Sequence, residues 1–333
     1  KKSDALFKFV NCENLTILGN NSSLIMNKQE YLDGEWRMGI SFVGCKNVNL
    51  QDVTVSSSGG DGIYLDGLKE GTYSENIYID NIISTNNKRQ GISIVSAKNV
   101  WVKNSIFTKT NGTLPEAGLD IEPDSENDVI SNINFENCVF TNNNHSGIVL
   151  ALSKLTNNSE PISISFKHCY LSMNHDLNNI YPAAEIVITA HPEFPVKGKV
   201  LFSDIFIDGS NWRFLYSNKP SDGYHVGFDD ISVINICKQY EDRSAIYLEV
   251  PDSYNQSGPI GGFSFENMLL NYSAKSSILT IKGSRLRTLK GIDNITGEIT
   301  VFNPNLVELI DYRMYNSTFN NNFSINFNLF QND

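Results

Sequence analysis

Four segments of this 333-residue chain, spaced at a nearly constant interval, share a short pattern: a glycine followed by an apolar, a variable and an apolar residue. The glycines are Gly62, Gly91, Gly118 and Gly147, which lie 29, 27 and 29 residues apart. Alternation of apolar and variable residues is typical of a strand with one buried face. A repeat of this length indicates one supersecondary unit per period, stacked on its neighbours. The sequence therefore predicts a solenoid.

A second strand pattern follows each of these segments at a nearly fixed offset, with a polar residue at one position. Asp52, Asn81, Asn104 and Asn137 occupy that position. Asn and Asp tolerate left-handed backbone, so we expect these residues at the corner between two strands. Their side chains can then bond to one another along the stack. Each turn of the solenoid is thus predicted to hold two or three short strands and no helix.

Coils of this kind resemble the right-handed parallel β-helix of the pectin-lyase-like superfamily, and the resemblance covers nearly the whole chain. It implies an all-β fold of about 10–11 coils without significant helix, built as a single domain over residues 1–333. Part of the chain also resembles a bacterial β-helix family associated with polysaccharide degradation, which implies a carbohydrate substrate but no particular reaction. The segments that carry this second resemblance are 35–41, 59–65, 86–92, 111–113 and 117–123.

The composition excludes several classes of function. The net charge is −11 and no tract of clustered Lys and Arg is present, so nucleic-acid binding is not expected. No run of about 18 apolar residues occurs, so no membrane-spanning segment is predicted. The chain begins at Lys1 without a signal peptide, so either such a segment has been removed or the chain starts after it. The resemblance implies a secreted, periplasmic or cell-surface protein.

The five cysteines lack the spacing of a metal site, and their odd number argues against a full disulfide framework. Cys138 and Cys169 align at an inward position of neighbouring repeats. We therefore expect buried free thiols that behave as small hydrophobic residues.

Alternation places the apolar residues after each glycine inside the solenoid and the intervening residues outside. Successive coils lie about 4.8 Å apart, so the outward residues form a patch about 15–20 Å long, which matches a few sugar rings. Its four rows are Tyr64, Ser93, Asp120 and Val149; Asp66, Val95, Glu122 and Ala151; Arg37, Gly60, Arg89, Glu116 and His145; and Met38, Asp61, Gln90, Ala117 and Ser146.

Asp120 and Glu122 are the predicted catalytic residues. Being two apart on a strand, they point the same way, with backbones about 6.5–7 Å apart. Paired carboxylates about 6.5–9.5 Å apart suit inverting glycoside hydrolysis, in which one protonates the leaving oxygen and the other activates water. Asp61 and Asp66, two coils away, are alternatives for the second carboxylate. For each residue alone, the competing interpretation is a solvated surface carboxylate.

The other outward residues are predicted to bind substrate. Arg89 can bind an anionic group of a substrate, or it can pair with Glu116 or Asp61. His145 can shuttle protons or cap a turn. The aromatic residues can stack on sugar faces or cover the edge of the solenoid. The complete predicted binding set is Arg89, Gln90, Tyr64, Ser93, Glu116, His145, Trp36 and Arg37.

No cofactor is predicted, and no spacing identifies a metal site. Calcium remains an option because hard cations take several oxygen ligands. The ligands of such an ion would be Asp61, Asp120, Glu122 and Asp124.

The predicted function is a secreted carbohydrate-active enzyme, a glycoside hydrolase acting on a polysaccharide or oligosaccharide. Two alternatives stay open. One is a polysaccharide lyase or uronan epimerase, in which Arg89, Lys88 or Arg37 with calcium would neutralise a uronate. The other is a non-catalytic carbohydrate-binding β-helix of the tailspike kind. The sequence does not predict the sugar, the linkage or the oligomeric state.

Overall fold

The computed structural model describes residues 4–31, 35–175, 184–237, 243–252, 258–284, 291–305 and 308–331. The strands up to residue 152 are β1 (Asp4–Val10), β2 (Glu13–Ile25), β3 (Arg37–Val43), β4 (Lys46–Ser56), β5 (Ile63–Asp66), β6 (Ser74–Asp80), β7 (Ile83–Thr85), β8 (Gln90–Ile94), β9 (Ala97–Lys103), β10 (Ile106–Thr108), β11 (Ala117–Ile121), β12 (Ile130–Glu136), β13 (Val139–Thr141) and β14 (Ser146–Leu152). The later strands are β15 (Ile162–Lys167), β16 (Tyr170–Ser172), β17 (Ala184–Ala190), β18 (Gly198–Asp208), β19 (Arg213–Ser217), β20 (His225–Ile234), β21 (Ile246–Glu249), β22 (Ile260–Asn271), β23 (Leu279–Lys282), β24 (Ile292–Phe302), β25 (Ile310–Arg313) and β26 (Asn320–Phe330).

The strands wind into two large parallel sheets. The first sheet holds eleven strands in the order β1-β3-β5-β8-β11-β14-β17-β19-β21-β23-β25, one from each coil, and the second holds fifteen. The predicted parallel β-helix of about 10–11 coils is confirmed. Within the described ranges the helical elements are two 3-10 turns, Lys28–Glu30 and Ser317–Phe319, and none is long and apolar enough to cross a membrane. A single domain over residues 1–333 stays a prediction.

Polar residues with left-handed backbone form the corners of the second sheet. β4 pairs with β6 before its corner residue Asp52 and with β7 after it. The φ angles of Asp52, Asn81, Asn104 and Asn137 are 56°, 54°, 48° and 58°. Asn81 donates to Asp52 at 2.7 Å and Asn137 donates to Asn104 at 3.1 Å. The predicted ladder is confirmed except at one step, where Asn104 donates to Asp80 instead of Asn81.

The repeated glycines form a column along the first sheet, where each backbone lies against the next. A Cβ atom on Gly62 would lie 2.6 Å from the carbonyl oxygen of Gly91, and one on Gly91 would lie 2.5 Å from that of Gly118. Close approach between coils, rather than a turn, therefore requires glycine here. Gly147 continues the column, and Glu185 follows it on the next coil. The predicted alignment of the four segments is confirmed.

Apolar rows fill the interior of the solenoid. The eight predicted inward residues are all 0% exposed: Ile63, Leu65, Ile92, Ile94, Leu119, Ile121, Ile148 and Leu150. The second sheet adds stacked phenylalanines, in which the Phe166 ring lies 5.3 Å from that of Phe135 and 4.7 Å from that of Phe202. Full burial of a side chain of this size stabilises the fold by about 1.5–3 kcal/mol. The predicted parity of the strands is confirmed.

The five cysteines are free thiols. Cys45, Cys138, Cys169 and Cys237 are buried, as predicted, whereas Cys12 is partly exposed. Cys12 lies on the first coil of the described chain, between β1 and β2, where a single neighbouring coil covers it.

Candidate active site

The outer face of the first sheet brings predicted site residues from three coils together. Asp120 on β11 pairs with Ser93 on β8, and Ser93 pairs with Tyr64 on β5. Leu119 and Ile121, which flank Asp120, belong to the interior core. Asp120 therefore projects to the opposite, outer side of the sheet.

The predicted solvent exposure of the two catalytic carboxylates is wrong for Asp120. Asp120 is 0% exposed, whereas the side chain of Glu122 is 42% exposed. Asp120 is buried because polar side chains of the preceding coil lie against it, and Gln90 donates from Nε2 to Asp120 Oδ2 at 2.7 Å. Gln90 is itself fixed, since its Oε1 accepts the backbone N–H of Ala117 at 3.3 Å. Glu122 is the member of the pair that a ligand can reach.

Arg89 joins three carboxylates at this site. Its Nη2 donates to Glu122 Oε2 at 2.7 Å. Its Nη1 lies 3.9 Å from Asp61 Oδ1, and its Nε lies 3.6 Å from Glu35 Oε2. The Arg89 side chain is only 12% exposed, so water and salt screen these interactions weakly. The predicted pairing with Asp61 is found, and the protein rather than a substrate supplies the counter-charges of Arg89.

Asp61 follows two glycines that Tyr31 and Glu35 approach closely. A Cβ atom on Gly60 would overlap the carbonyl oxygen of Glu35, and one on Gly59 would lie 2.6 Å from the ring of Tyr31. The two glycines thus leave room for Tyr31 and Glu35 beside the chain that leads to Asp61. Asp61 is 0% exposed, and neither of its carboxyl oxygens accepts a hydrogen bond from the described residues.

The protonation of Asp61 and Asp120 depends on their burial and on the charges of Arg89 and Glu122. Burial raises the pKa of Asp61 to about 7, against the opposing effect of the Arg89 charge. Burial and the neighbouring Glu122 charge raise the pKa of Asp120 well above its usual range. Burial opposes the charge of Arg89, but the surrounding carboxylates raise its pKa overall. The site therefore favours protonated carboxyl groups beside a permanent positive charge.

Asp120 and Glu122 lie two positions apart along the chain, and the charge of Glu122 adds to the effect of burial in raising the pKa of Asp120. The separation of about 6.5–9.5 Å that suits the two carboxylates of an inverting glycosidase stays a prediction for this pair.

Asp66 is held away from the carboxyl groups that surround Arg89. Its Oδ2 accepts from the hydroxyl of Tyr64 at 2.8 Å, and its Oδ1 accepts from the backbone N–H of Gly67 at 2.6 Å. Burial raises the pKa of Asp66 to about 6. It lines a cavity of about 340 Å³ together with Asp124 and Asp128. These bonds fix Asp66 at that cavity rather than at the guanidinium.

The predicted aromatic platforms are largely covered. Tyr64 is 5% exposed and packs with Met38 and Val95 in a small apolar cluster on the outer face. Trp36 packs against the same cluster and is partly buried, in agreement with the alternative that it covers the solenoid. Arg37 donates from Nη1 to the backbone oxygen of Trp36 at 3.3 Å. Tyr64, Met38, Val95 and Trp36 thus form an apolar cluster on the same outer face as the carboxyl groups around Arg89.

Glu116 and His145 lie on neighbouring coils, joined by the bond from the His145 N–H to the Glu116 carbonyl oxygen. The carboxylate of Glu116 holds a loop, since it accepts from Gly112 N at 2.6 Å and from Asn144 Nδ2 at 2.7 Å. Nδ1 of His145 lies 3.1 Å from the hydroxyl of Ser146. The roles predicted for both residues in substrate binding stay predictions.

The repeat pattern missed polar and aromatic residues further along the same outer face. On β19 and β21 this face carries Arg213, Tyr216 and Tyr247, and Trp212 precedes β19. No glycine marks these strands, because the glycine column ends at Gly147. The alternation within β21 reveals Tyr247, but Phe214 and Leu215 on β19 are consecutive core residues, so alternation does not reveal Arg213.

The described residues contain no group of three or more His, Cys, Asp and Glu side chains arranged to hold a metal ion. Among the suggested calcium ligands, Asp124 lines the cavity at Asp66, whereas Asp61 and Glu122 contact Arg89. The expectation of no cofactor, with calcium as an option, stays a prediction.

Several known proteins are similar to this chain in sequence or in structure. The uncharacterized protein YclG of Bacillus subtilis (strain 168) is 34% identical over 131 residues, which are 35% of this chain and 22% of that protein. The catalytic unit of a thermostable GH87 alpha-1,3-glucanase from Streptomyces thermodiastaticus strain HF3-3 matches 89% of this chain and 49% of its own, with a TM-score of 0.55 and 13% identity. The catalytic domain of a GH87 alpha-1,3-glucanase in complex with nigerose matches 98% and 60%, with a TM-score of 0.53 and 14% identity.

The chain thus spans about a fifth of the curated relative and about half of the first of these solved structures, and its likeness to the solved structures is one of fold. The family profile of the right handed beta helix region matches residues 7–179. That range is more than half of the chain and includes all residues around Arg89. The chain therefore belongs to the right-handed beta-helix family and has the pectin-lyase-like fold.

Proposed function

We propose that this protein is a carbohydrate-active enzyme, a glycoside hydrolase that binds an oligosaccharide or polysaccharide along the outer face of the first sheet. The observation that carries the proposal is the convergence of Asp61, Asp120 and Glu122 on the single guanidinium of Arg89. Hydrolysis of a glycosidic bond needs one carboxyl group that donates a proton and one carboxylate that activates water. A site with more carboxyl groups than cations provides both forms.

Glu122 and Asp61 fit the two roles best. Glu122 is the base, because it is exposed and its Oε2 accepts from Arg89 Nη2 at 2.7 Å. Asp61 is the acid, because its pKa of about 7 keeps it protonated up to neutral pH. The two groups contact different terminal nitrogens of Arg89, so the guanidinium holds them apart. A separated pair leaves room for the water of an inverting reaction.

In the proposed reaction Asp61 protonates the glycosidic oxygen while Glu122 takes a proton from a water molecule. That water attacks the anomeric carbon, and the bond to the leaving sugar breaks. Asp120 is a positioning residue: Gln90 fixes its carboxyl group, and Asp120 lies on the strand that leads to Glu122. Asp61 is 0% exposed, so the proposed reaction requires a rearrangement that opens this carboxyl group to substrate.

The comparisons support a carbohydrate substrate. Solved structures with this fold include alpha-1,3-glucanases, and one of them is a complex with nigerose. An enzyme that degrades a polymer too large to enter a cell acts outside it, so we also propose that the protein is secreted or held at the cell surface.

The experiment is incubation of the protein with a panel of neutral and acidic polysaccharides, followed by a reducing-end assay and mass analysis of the products. We expect new reducing ends on products of hydrolytic mass, which carry one added water per bond cleaved. Products lacking that water and containing an unsaturated uronate would identify a lyase. Retention of a glycan without turnover would identify a binding protein. Either of these outcomes contradicts the proposal.

A further inference from the structure

The cysteines of the first two coils lie next to each other in the stack. Cys12 lies between β1 and β2, and Cys45 lies between β3 and β4. β1 pairs with β3 and β2 with β4 at one offset, and the same offset separates the two cysteines. Across this corner the backbone N–H of Lys46 donates to the carbonyl oxygen of Cys12 at 2.8 Å. The preceding residues, Asn11 and Gly44, have similar left-handed φ angles of 53° and 62°, so the two corners have the same shape.

The two thiols share one orientation. Sγ of Cys12 lies 3.6 Å from the carbonyl oxygen of Val10, and Sγ of Cys45 lies 3.7 Å from that of Val43. Sγ of Cys45 also lies 3.4 Å from the carbonyl oxygen of Phe9, so this sulfur faces the first coil. Neighbouring strands lie about 4.8 Å apart, which is within the range of about 4.4–6.8 Å between the Cα atoms of disulfide-bonded cysteines. The backbone is therefore placed for a disulfide bond between the two coils.

Only one member of this pair is accessible. Cys12 is partly exposed, whereas Cys45 is 0% exposed. Burial also raises the pKa of the Cys45 thiol. Since the thiolate is the reactive form of cysteine, a small oxidant in solution reacts first with Cys12. Cys45 can then react from within the protein.

The first coil is the part of the solenoid that a bond between these residues would stabilise. Among the described strands, β1 lies at the end of its sheet and pairs with β3, and β2 pairs with β4. Strands with one neighbour open more readily than strands in the middle of a sheet. A covalent link to the second coil opposes that opening and restricts the unfolded chain.

We propose that Cys12 and Cys45 form a site of reversible oxidation, at which a small-molecule disulfide such as oxidised glutathione converts the two thiols into a bond that links the first coil to the second. The Cys12 thiolate attacks one sulfur of oxidised glutathione, forms a mixed disulfide and releases one glutathione. The Cys45 thiolate then attacks the Cys12 sulfur and releases the second glutathione. The protein is oxidised by two electrons, the oxidant is reduced, and the two thiol protons leave on the released glutathiones.

A second cysteine pair provides an internal control. Cys138 lies between β12 and β13, and Cys169 lies between β15 and β16. β12 pairs with β15 and β13 with β16, so this pair is stacked in the same way. Cys138 is 0% exposed and Cys169 is 2% exposed. An oxidant therefore has no entry to this pair while the protein is folded, and both thiols should stay reduced.

The test is incubation of the folded full chain with oxidised glutathione at about pH 8.5, near the ordinary pKa of cysteine. Quenching with acid, unfolding, alkylation with iodoacetamide and peptide mapping by mass spectrometry then locate each thiol. We expect two of the five thiols to be lost, with one linked peptide that joins Cys12 to Cys45. Five alkylated cysteines, a lasting glutathione adduct on Cys12, chains joined through Cys12, or a bond between Cys138 and Cys169 would each overturn the proposal.

Thermal melting shows whether the bond links the coils. The oxidised protein should melt at a higher temperature than the reduced protein, and dithiothreitol should reverse the rise. Cys45→Ser cannot close the bond, so it should keep the glutathione adduct on Cys12 and show no rise. Cys237→Ala removes a buried cysteine outside both pairs and should show the same rise as the wild type. Equal melting of the oxidised and reduced wild type would overturn the link, and the peptide map of the wild type decides the case even if a variant fails to fold.

Discussion

Each carboxyl group around Arg89 has a different environment, and these differences underlie the roles proposed for it. Asp61 is 0% exposed and accepts no hydrogen bond from a described residue, Asp120 accepts from Gln90, and Glu122 reaches solvent. Burial raises the pKa of both aspartates, which favours their protonated forms. Under the proposed function, Asp61 donates the proton and Glu122 is the base.

Glu122→Gln is expected to reduce kcat by at least about 100-fold, because it removes an essential base without changing the shape of the side chain. Steady-state kinetics on the glycan found in the panel would measure this change. Glu266→Gln is the matched control, since Glu266 is exposed on the second sheet and far from the site in the chain. Equal loss in both variants, or none in Glu122→Gln, would remove Glu122 from the mechanism.

The pH dependence of activity follows from Asp61. A proton donor works only while protonated, and the pKa of Asp61 is raised to about 7. We therefore expect kcat/KM to fall as the pH rises through about 7. Asp61→Asn should abolish activity at every pH, since an amide cannot donate this proton to the leaving oxygen. A wild-type profile that stays flat across neutral pH would show that another group is the acid.

Among the elements, the column of glycines along the first sheet allows successive coils to stack closely. Gly118→Ala should destabilise the protein by about 1–3 kcal/mol, because overpacking forces the backbone to shift. Its Cβ would lie 2.8 Å from the carbonyl oxygen of Gly147 and 3.0 Å from the ring of Phe140. Gly258→Ala is the control, since the nearest atom there is 3.9 Å away. The free energy of unfolding of each variant is measured by denaturant unfolding. Equal values for the two variants would contradict the requirement for glycine at position 118.

The sequence predicted those elements whose partners are encoded by a repeat. The strands, their parity and the corner ladder at Asp52 were predictable, since each position recurs at every coil. The burial of Asp61 was not, since no repeated position reveals it. The burial of Asp120 was also hidden, because alternation gives the side of the sheet but does not reveal that Gln90 lies against the carboxyl group.

At the scale of the whole molecule, a buried carboxyl group, that of Glu185, makes stability depend on pH. Glu185 ends the glycine column, is 0% exposed and accepts from the backbone and side chain of Asn174. Burial raises the pKa of Glu185 to about 7 from a usual 4.5. Between these values the folded chain keeps a proton that the unfolded chain has lost. Stability is therefore full below about pH 4.5 and falls as the pH rises towards about 7.

This linkage predicts that Glu185→Gln flattens the fall in melting temperature between about pH 4.5 and about pH 7. The pKa shift of Glu185 corresponds to a loss of about 3 kcal/mol in the free energy of unfolding at neutral pH. Asp61 and Asp120 contribute in the same direction, so the variant should retain part of the slope. An exposed-site control, Glu266→Gln, should keep the full slope. Identical curves for Glu185→Gln and the wild type would contradict the linkage.

At this scale the sequence predicted the architecture and the alignment of the outer face up to His145, because glycines mark those strands. Arg213 was not predicted, because β19 lacks the glycine and places two consecutive residues, Phe214 and Leu215, in the core.

The protonation of the carboxyl groups can be measured most directly by carbon-13 NMR titration of the side-chain carboxyls, with assignments from Asp61→Asn and Asp120→Asn. We predict that Asp61 titrates near pH 7 and that Asp120 titrates well above the usual aspartate range. Ordinary aspartate titrations at both positions, near about pH 4, would contradict the account of a proton-bearing site around Arg89.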